Sequence, residues 1–238
     1  MIYRGQTLFS LLLTIGLTAL LGTVMMKFFS TVQQHNQRLF LRLKLQAELQ
    51  RVLHLIAKDV RRTGFRAVGE KVITDNLGLF EQESFPKSIR LGQVNGEPPN
   101  SCVLFFYDLN KSGCLGNNIK NGYCVLNGKN QTNDIKDELF GYRLNKKRIE
   151  VRSGYKGNFN QRCSVQDCQR YLQPEECNST GWNKLLDDTE FDVTRFRFTW
   201  LVEKRGLELQ LTGNLKSFSD ITYTSSAIIP LFNEMNEN

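Results

Sequence analysis

The residues of this sequence best suited to covalent chemistry are six cysteines, Cys102, Cys114, Cys124, Cys163, Cys168 and Cys177. An even count confined to one region reads as a disulfide framework, and disulfides persist in the periplasm or outside the cell. The sequence does not choose among the possible pairings, although local closure points from Cys163 to Cys168 or Cys177. A zinc site fits poorly. No C-x-x-C pair occurs, and the two histidines, His35 and His54, both precede the cysteine region.

A second chemical candidate is "DLNKSG", which sets Asp108, Asn110 and Ser112 at alternating positions before Gly113, as in the opening of a calcium-binding loop. The pattern then breaks, because Ile119 stands where a bidentate glutamate should close the loop. Asp and Asn also build plain turns through their own side chains, and that reading is favoured here. No Ser-His-Asp, H-E-x-x-H or phosphate-loop spacing is present. The chain is therefore read as a non-enzyme with no cofactor, calcium being the one ion with any pattern behind it. Asn130 and Asn178 open N-x-T and N-x-S/T sequons, a pattern that recurs by chance.

What must position these groups begins with an apolar run. From Gly5 to Met26 no residue is charged, close to the roughly 20 residues a helix needs to cross a bilayer. The helical pattern continues beyond it: Leu41, Leu45, Leu49, Leu53, Ile56 and Val60 recur at steps of four or three, with Arg42, Lys44, Glu48, Gln50, Arg51 and Lys58 between them. No Pro or Gly interrupts the stretch between Thr23 and Thr63, and Gly64 supplies a stop. One nearly continuous helix over 7–63 would be about 85 Å long. Its apolar stripe needs cover from the rest of the chain.

That remainder reads as strands and turns. "SCVLFFYD" (101–108), "GYCVL" (122–126), "LFGYRL" (139–144) and "RIEVR" (148–152) are short and rich in β-branched or aromatic residues. Phe196, Phe198, Trp200 and Val202 alternate strictly, and after "EKRG" so do Leu207, Leu209 and Leu211, which predicts a hairpin with one buried face. A last strand is predicted over 220–229, ended by Pro230. The expected fold is α+β, one long N-terminal helix laid against an antiparallel sheet. The loops over 113–121 and 154–161 are expected to be stapled by cysteines.

At 238 residues the chain has room for one ordinary domain after the membrane segment. Hydrophobic residues are 40% and charged residues 23%, a globular composition that excludes general disorder. The formal charge of +7 would suit an acidic partner, but the basic residues are dispersed, as in Arg61, Arg62 and Arg66 or Lys146, Lys147 and Arg148. Nucleic-acid binding is not expected, since Phe196, Phe198 and Trp200 have the period of a core strand. By charge counting, Arg4 before the span against Lys27, Arg38, Arg42 and Lys44 after it would leave the soluble part in the cytoplasm. The cysteines argue for export, and they weigh more because the leading segment is so short.

The opening "RGQTLFSLLL" resembles the processing site of type IV pilin-like proteins, with Gly5, Thr7 and Leu8 at matching positions. The architecture resembles that family over the full chain. Further stretches, "VRRTGF" (60–65), "CVLFFYDLNKSG" (102–113), "FGYRL" (140–144) and "CNSTGWNKL" (177–185), look like the prepilin-peptidase-dependent protein B group, related to PilW-type minor pilins and J-type pseudopilins.

The resemblance implies a leader over 1–5, a membrane-spanning half-helix over 6–29, an amphipathic half over 30–64 and a periplasmic or extracellular β-rich domain over 65–238. It implies cleavage between Gly5 and Gln6 by prepilin peptidase and N-methylation of Gln6. It also implies partners among other minor pilins, the major pilin and the inner-membrane assembly platform. The protein would sit in the inner membrane and then at a fibre tip, as a subunit that primes assembly of a type IV pilus or type II secretion pseudopilus.

Two positions depart from the family pattern. Gln6 replaces the usual first phenylalanine, and Ser10 replaces the usual glutamate. That glutamate would neutralise a neighbour's α-amine in the apolar bundle, so Ser10 points to a subunit at or near the tip, or else to one recruited through its soluble domain. The competing functions are a bitopic membrane protein with an exported ligand-binding or enzymatic domain, and a DNA-capturing tip of a competence pilus.

Overall fold

The computed structural model describes residues 8–68, 72–117, 122–154 and 159–234. The chain divides into two compact units, Met1–Lys44 and Leu45–Asn238. The first contains the start of helix α1 (Leu8–Val60), whose apolar side chains, among them Leu12, Leu17, Leu20 and Phe28, are exposed. An 18-residue window of this helix has mean hydropathy 2.1 and none of it is buried, so it is long and apolar enough to cross a membrane. Its threonine hydroxyls bond back to the helix. Thr14 donates to Leu11 O at 2.8 Å, Thr18 to Thr14 O at 2.9 Å and Thr23 to Leu20 O at 2.8 Å, so these three hydroxyls need no water.

The second unit opens with the last turns of α1, where Leu45, Leu49, Val52, Leu53, Ile56, Ala57 and Val60 are buried. Five of the six stripe residues expected from the spacing are among them. Leu41 is only half-buried. The helix ends at Val60, short of the expected 63, and a turn follows that closes at Gly64 with φ 72°, where the Gly64 N–H donates to Phe106 O at 2.9 Å. A Cβ at Gly64 would lie 3.1 Å from the Glu234 carboxylate, so the chain turns there in a space that only glycine fits easily.

After α1 come α2 (Leu77–Phe80), β1 (Ile89–Gly92), β2 (Cys102–Phe106), β3 (Val125–Leu126), β4 (Lys129–Asn130), β5 (Leu139–Asn145), β6 (Arg148–Arg152) and α3 (Val165–Gln169). They are followed by β7 (Trp182–Lys184), β8 (Phe191–Trp200), β9 (Gly206–Leu215) and β10 (Thr222–Pro230). All the strand pairs are antiparallel, as expected, but the strands form two larger sheets where one was expected. One sheet runs β1-β2-β5-β6-β7 and the other β10-β9-β8, with β3 and β4 as a separate ribbon. The division has a visible cause: the long, alternating hairpin strands β8 and β9 share ten-residue lengths, and the nine-residue β10 matches them rather than the three- to seven-residue strands of the first sheet.

Two cores result. Strand β2 is buried at all five positions and is covered on both faces, which is why it reads as a continuous apolar run. Cys102, Leu104 and Phe106 face a cluster with Phe80, Leu115, Ile135, Leu172 and the cysteines Cys163, Cys168 and Cys177. On the other face Phe105 stacks near Phe140 (5.7 Å) and Tyr142 (6.3 Å). In the second sheet Phe196, Phe198, Leu207, Leu209 and Leu211 are buried, and Trp200 is half-buried at the edge of that core.

Candidate functional site

Four stretches far apart in sequence meet where α1 ends. Asp59, one turn before the helix stop, accepts a 2.5 Å hydrogen bond from the Tyr142 hydroxyl on β5. Burial, and then the Asp59 carboxylate beside it, push the Tyr142 phenol well above its usual range. Arg62 lies 5.7 Å over the Tyr107 ring and donates to its hydroxyl at 3.5 Å. Cys102 on β2 is joined to Cys177, and Arg143 on β5 donates to Cys177 O at 2.6 Å, pairs with Glu150 at 2.7 Å and lies 4.5 Å over the Trp182 ring. The sequences "VRRTGF", "CVLFFYDLNKSG", "FGYRL" and "CNSTGWNKL" thus build one continuous structure around β2 and β5. Higher on the helix, Gln50 donates to the Tyr223 hydroxyl on β10 at 2.9 Å, so the buried turns of α1 engage both sheets.

The loop after β2 is organised by two buried carboxylates. Asp108 accepts from the N–H groups of Ser112 (2.9 Å), Ala67 (3.0 Å) and Gly113 (2.8 Å). Glu138 accepts from Leu109 (2.9 Å), Asn110 (3.0 Å) and Gly116 (2.5 Å). Burial lifts the Glu138 carboxyl from 4.5 to about 7, with the three N–H groups opposing the lift and the Asp108 charge adding to it. Asp108, Asn110 and Ser112 therefore form a turn whose acceptors are directed at backbone donors, with the Asn110 side chain accepting from Ser112 N at 2.8 Å. Ile119 lies outside the described residues. Among the described residues no group of three or more His, Cys, Asp or Glu side chains could hold a metal ion.

Beside this loop, a cavity of about 380 Å³ is lined by Arg62, Phe65, Tyr107, Asp108, Leu109 and Lys111. It sets two cations against an aromatic wall. His35 and His54 are both exposed on α1. The Asn130 amide is fully buried and donates to Thr132 O (3.1 Å) and Gln161 O (2.7 Å), whereas Asn178 is exposed.

The cysteines form three disulfides. Cys163 pairs with Cys168, one of the two local closures considered, and the others are Cys102–Cys177 and Cys114–Cys124. The last ties the start of the 113–121 loop to the short ribbon. Ser10 lies on α1, while Gly5 and Gln6 fall outside the described residues. Sequence reasoning missed Glu138 and Asp59. Asp59 carries a signal in hindsight, as a lone acid one turn before the helix stop. Glu138 carries none, since its backbone partners lie 22 to 29 residues away.

Against known families, the model described as prepilin peptidase-dependent protein B matches residues 38–231. An uncharacterised protein of Haemophilus influenzae is similar at 43% identity over 232 residues, covering 97% of each chain. No solved structure matches this chain.

Proposed function

This chain belongs to the prepilin peptidase-dependent protein B family, and on that premise we propose that it is a minor pilin, cut between Gly5 and Gln6 and methylated at Gln6. It primes a type IV pilus or type II secretion pseudopilus and stays at or near the fibre tip, in the manner of PilW-type minor pilins and J-type pseudopilins. The observation that carries this reading is α1. One helix offers an exposed apolar segment long enough for a bilayer and then, without a break, a buried stripe that belongs to the head. A subunit built this way can wait in the inner membrane with its head in the periplasm and then be drawn into a helical bundle, exchanging lipid contacts for contacts with other pilins. The assembly platform of the inner membrane supplies that step. The protein itself performs no catalysis, and no cofactor takes part.

Ser10 sets the place in the fibre. Cleavage leaves an α-amine at the apolar core of the bundle, where an unpaired charge is costly. A glutamate four residues on from that amine lets an ordinary subunit neutralise its neighbour. A hydroxyl cannot, and a tip subunit has no neighbour ahead to serve.

Deleting the gene and counting fibres tests the reading. Loss of most fibres, restored by the wild-type chain and weakened when Gly5→Glu blocks cleavage, is expected. Normal fibre number in the deletion strain would reject a priming role and favour an anchored binding domain.

A further inference from the structure

The two outer edges of the β10-β9-β8 sheet differ in how they are guarded. On the β8 side, Val193 N donates to Lys147 O and Phe198 N to Asn100 O, both at 2.9 Å, and the strand carries Asp192, Arg195 and Arg197. Loops and charges of this kind keep an edge from recruiting another strand. On the β10 side nothing comparable exists among the described residues. The register is continuous from Thr222↔Asn214 to Pro230↔Gly206, and at its two ends Leu215 N donates to Ile221 O and Leu231 N to Arg205 O. Odd-numbered residues therefore turn their backbone groups toward β9, and Thr222, Thr224, Ser226 and Ile228 turn theirs outward. Among the described residues no group bonds to those outward N–H and C=O groups. The side chains of the same four residues are exposed, Ile228 to 68%, and from Ile221 to Phe232 the sequence has no charge.

We propose that β10 is a strand-addition site: an extended, uncharged segment of a neighbouring pilin subunit pairs with its outward edge and continues the sheet. The proposal rests on the minor-pilin reading and names the surface by which the head takes part in assembly. The occupant follows from the chemistry of the edge. Four outward donor–acceptor positions repeat every second residue, about 7 Å apart, a spacing that another extended backbone meets in register. A charged strand would bury its charges against twelve neutral residues (221–232) with no counter-ion, so the partner strand is neutral. Pro230, which has no N–H to offer, closes the usable edge at its far end.

The test separates backbone from side chain, using the full chain throughout. Thr224→Pro and Ser226→Pro each remove one outward N–H and leave the backbone bonds to β9 in place; every Thr224 variant also loses the exposed hydroxyl contact to Thr212 on β9, which Thr224→Ala controls for. Thr224→Lys and Ser226→Lys keep the N–H and add an edge charge. Thr224→Ala and Ser226→Ala remove only the side chain. In cells lacking the wild-type gene, the Pro variants are expected to lower fibre number about tenfold, the equivalent of one lost hydrogen bond, the Lys variants to lower it through their uncompensated edge charge, and the Ala variants to match wild type.

The three Thr224 variants lose the same Thr212 contact and should melt together in detergent, as should the three Ser226 variants. In the isolated chain the amides of Thr222, Thr224, Ser226 and Ile228 should exchange fast, and in sheared fibres slowly. If the Lys and folded Pro variants restore fibres fully, or if these amides exchange equally fast in fibres, the proposal is overturned. Concentration-dependent dimers of the isolated chain, abolished by Thr224→Pro, would make a second copy the occupant and overturn it also. If deletion of the gene leaves fibres unchanged, it is the minor-pilin reading that fails, before any edge variant is made.

Discussion

The two parts of α1 obey the same backbone rules and opposite burial rules. Before Lys44 the large apolar residues are exposed, apart from the half-buried Leu41; from Leu45 onward one stripe, Leu45, Leu49, Val52, Leu53, Ile56, Ala57 and Val60, is no more than 4% exposed, while Leu55 off that stripe stays 36% exposed. A helix apolar all round has lipid as its solvent, whereas a helix apolar on one stripe has a protein core as its partner. The lesson is that one unbroken helix can belong to two environments, and that the change in pattern, more than any helix break, marks where the head begins.

The largest effect that could break this comparison comes from a charge on the buried part. Leu53→Asp should cost more than about 4 kcal/mol and leave the head unfolded or protease-sensitive, because its carboxylate would have no partner. Leu20→Asp, on the exposed part, should leave the melting of the detergent-solubilised head unchanged while impairing membrane insertion. Equal loss of head stability from both would contradict the division.

The staples of the head come next. Cys102 and Cys177 are 75 residues apart and Cys163 and Cys168 only 5, so replacing the first pair by alanine should cost about 4 kcal/mol and the second about 2, read from denaturant midpoints. The anchor part has no cysteine and should be indifferent to reductant.

Glu138 gives a smaller effect with a pH signature. Its carboxyl is raised on folding from 4.5 to about 7, so folding takes up a proton between those values. The stabilisation is complete below about pH 4.5 and is lost as pH rises through about 7. Glu138→Gln should cost roughly 1–3 kcal/mol at low pH, by turning an amide N–H₂ toward Gly116 N, and should remove that slope from the stability curve. The smallest effect is expected at the contact between α1 and β10. Gln50→Ala should cost about 0.5–1.5 kcal/mol, the value of its bond to Tyr223, and the change is measurable by thermal melting.

Much of this arrangement was legible in the sequence because it rests on local periodicity. The steps from Leu45 to Val60, the Gly64 stop and the alternation in Phe196, Phe198 and Leu207 to Leu211 each place their residues without reference to the rest of the chain. What was not legible depends on distant partners. Strands β1 and β7 have three or four residues and exist because β2 and β6 offer them an edge. Of the segment expected as a strand over 122–126, only Val125 and Leu126 join a ribbon, while Tyr123 makes a single parallel bridge to Thr74 and Cys124 is held by Cys114, with its N–H on Thr74 O. The division into two sheets has the same origin, because strand length decides which neighbours can match. At the candidate site, Asp108 and its turn could be read from "DLNKSG", and Glu138 could not.

The most direct test of the central claim, that this is a prepilin cut between Gly5 and Gln6, is the intact mass and N-terminal residue of the membrane-extracted protein, taken with and without the cell's prepilin peptidase. The account predicts a chain beginning at methylated Gln6 when the peptidase is present and at Met1 when it is absent. A chain beginning at Met1 in both would contradict it.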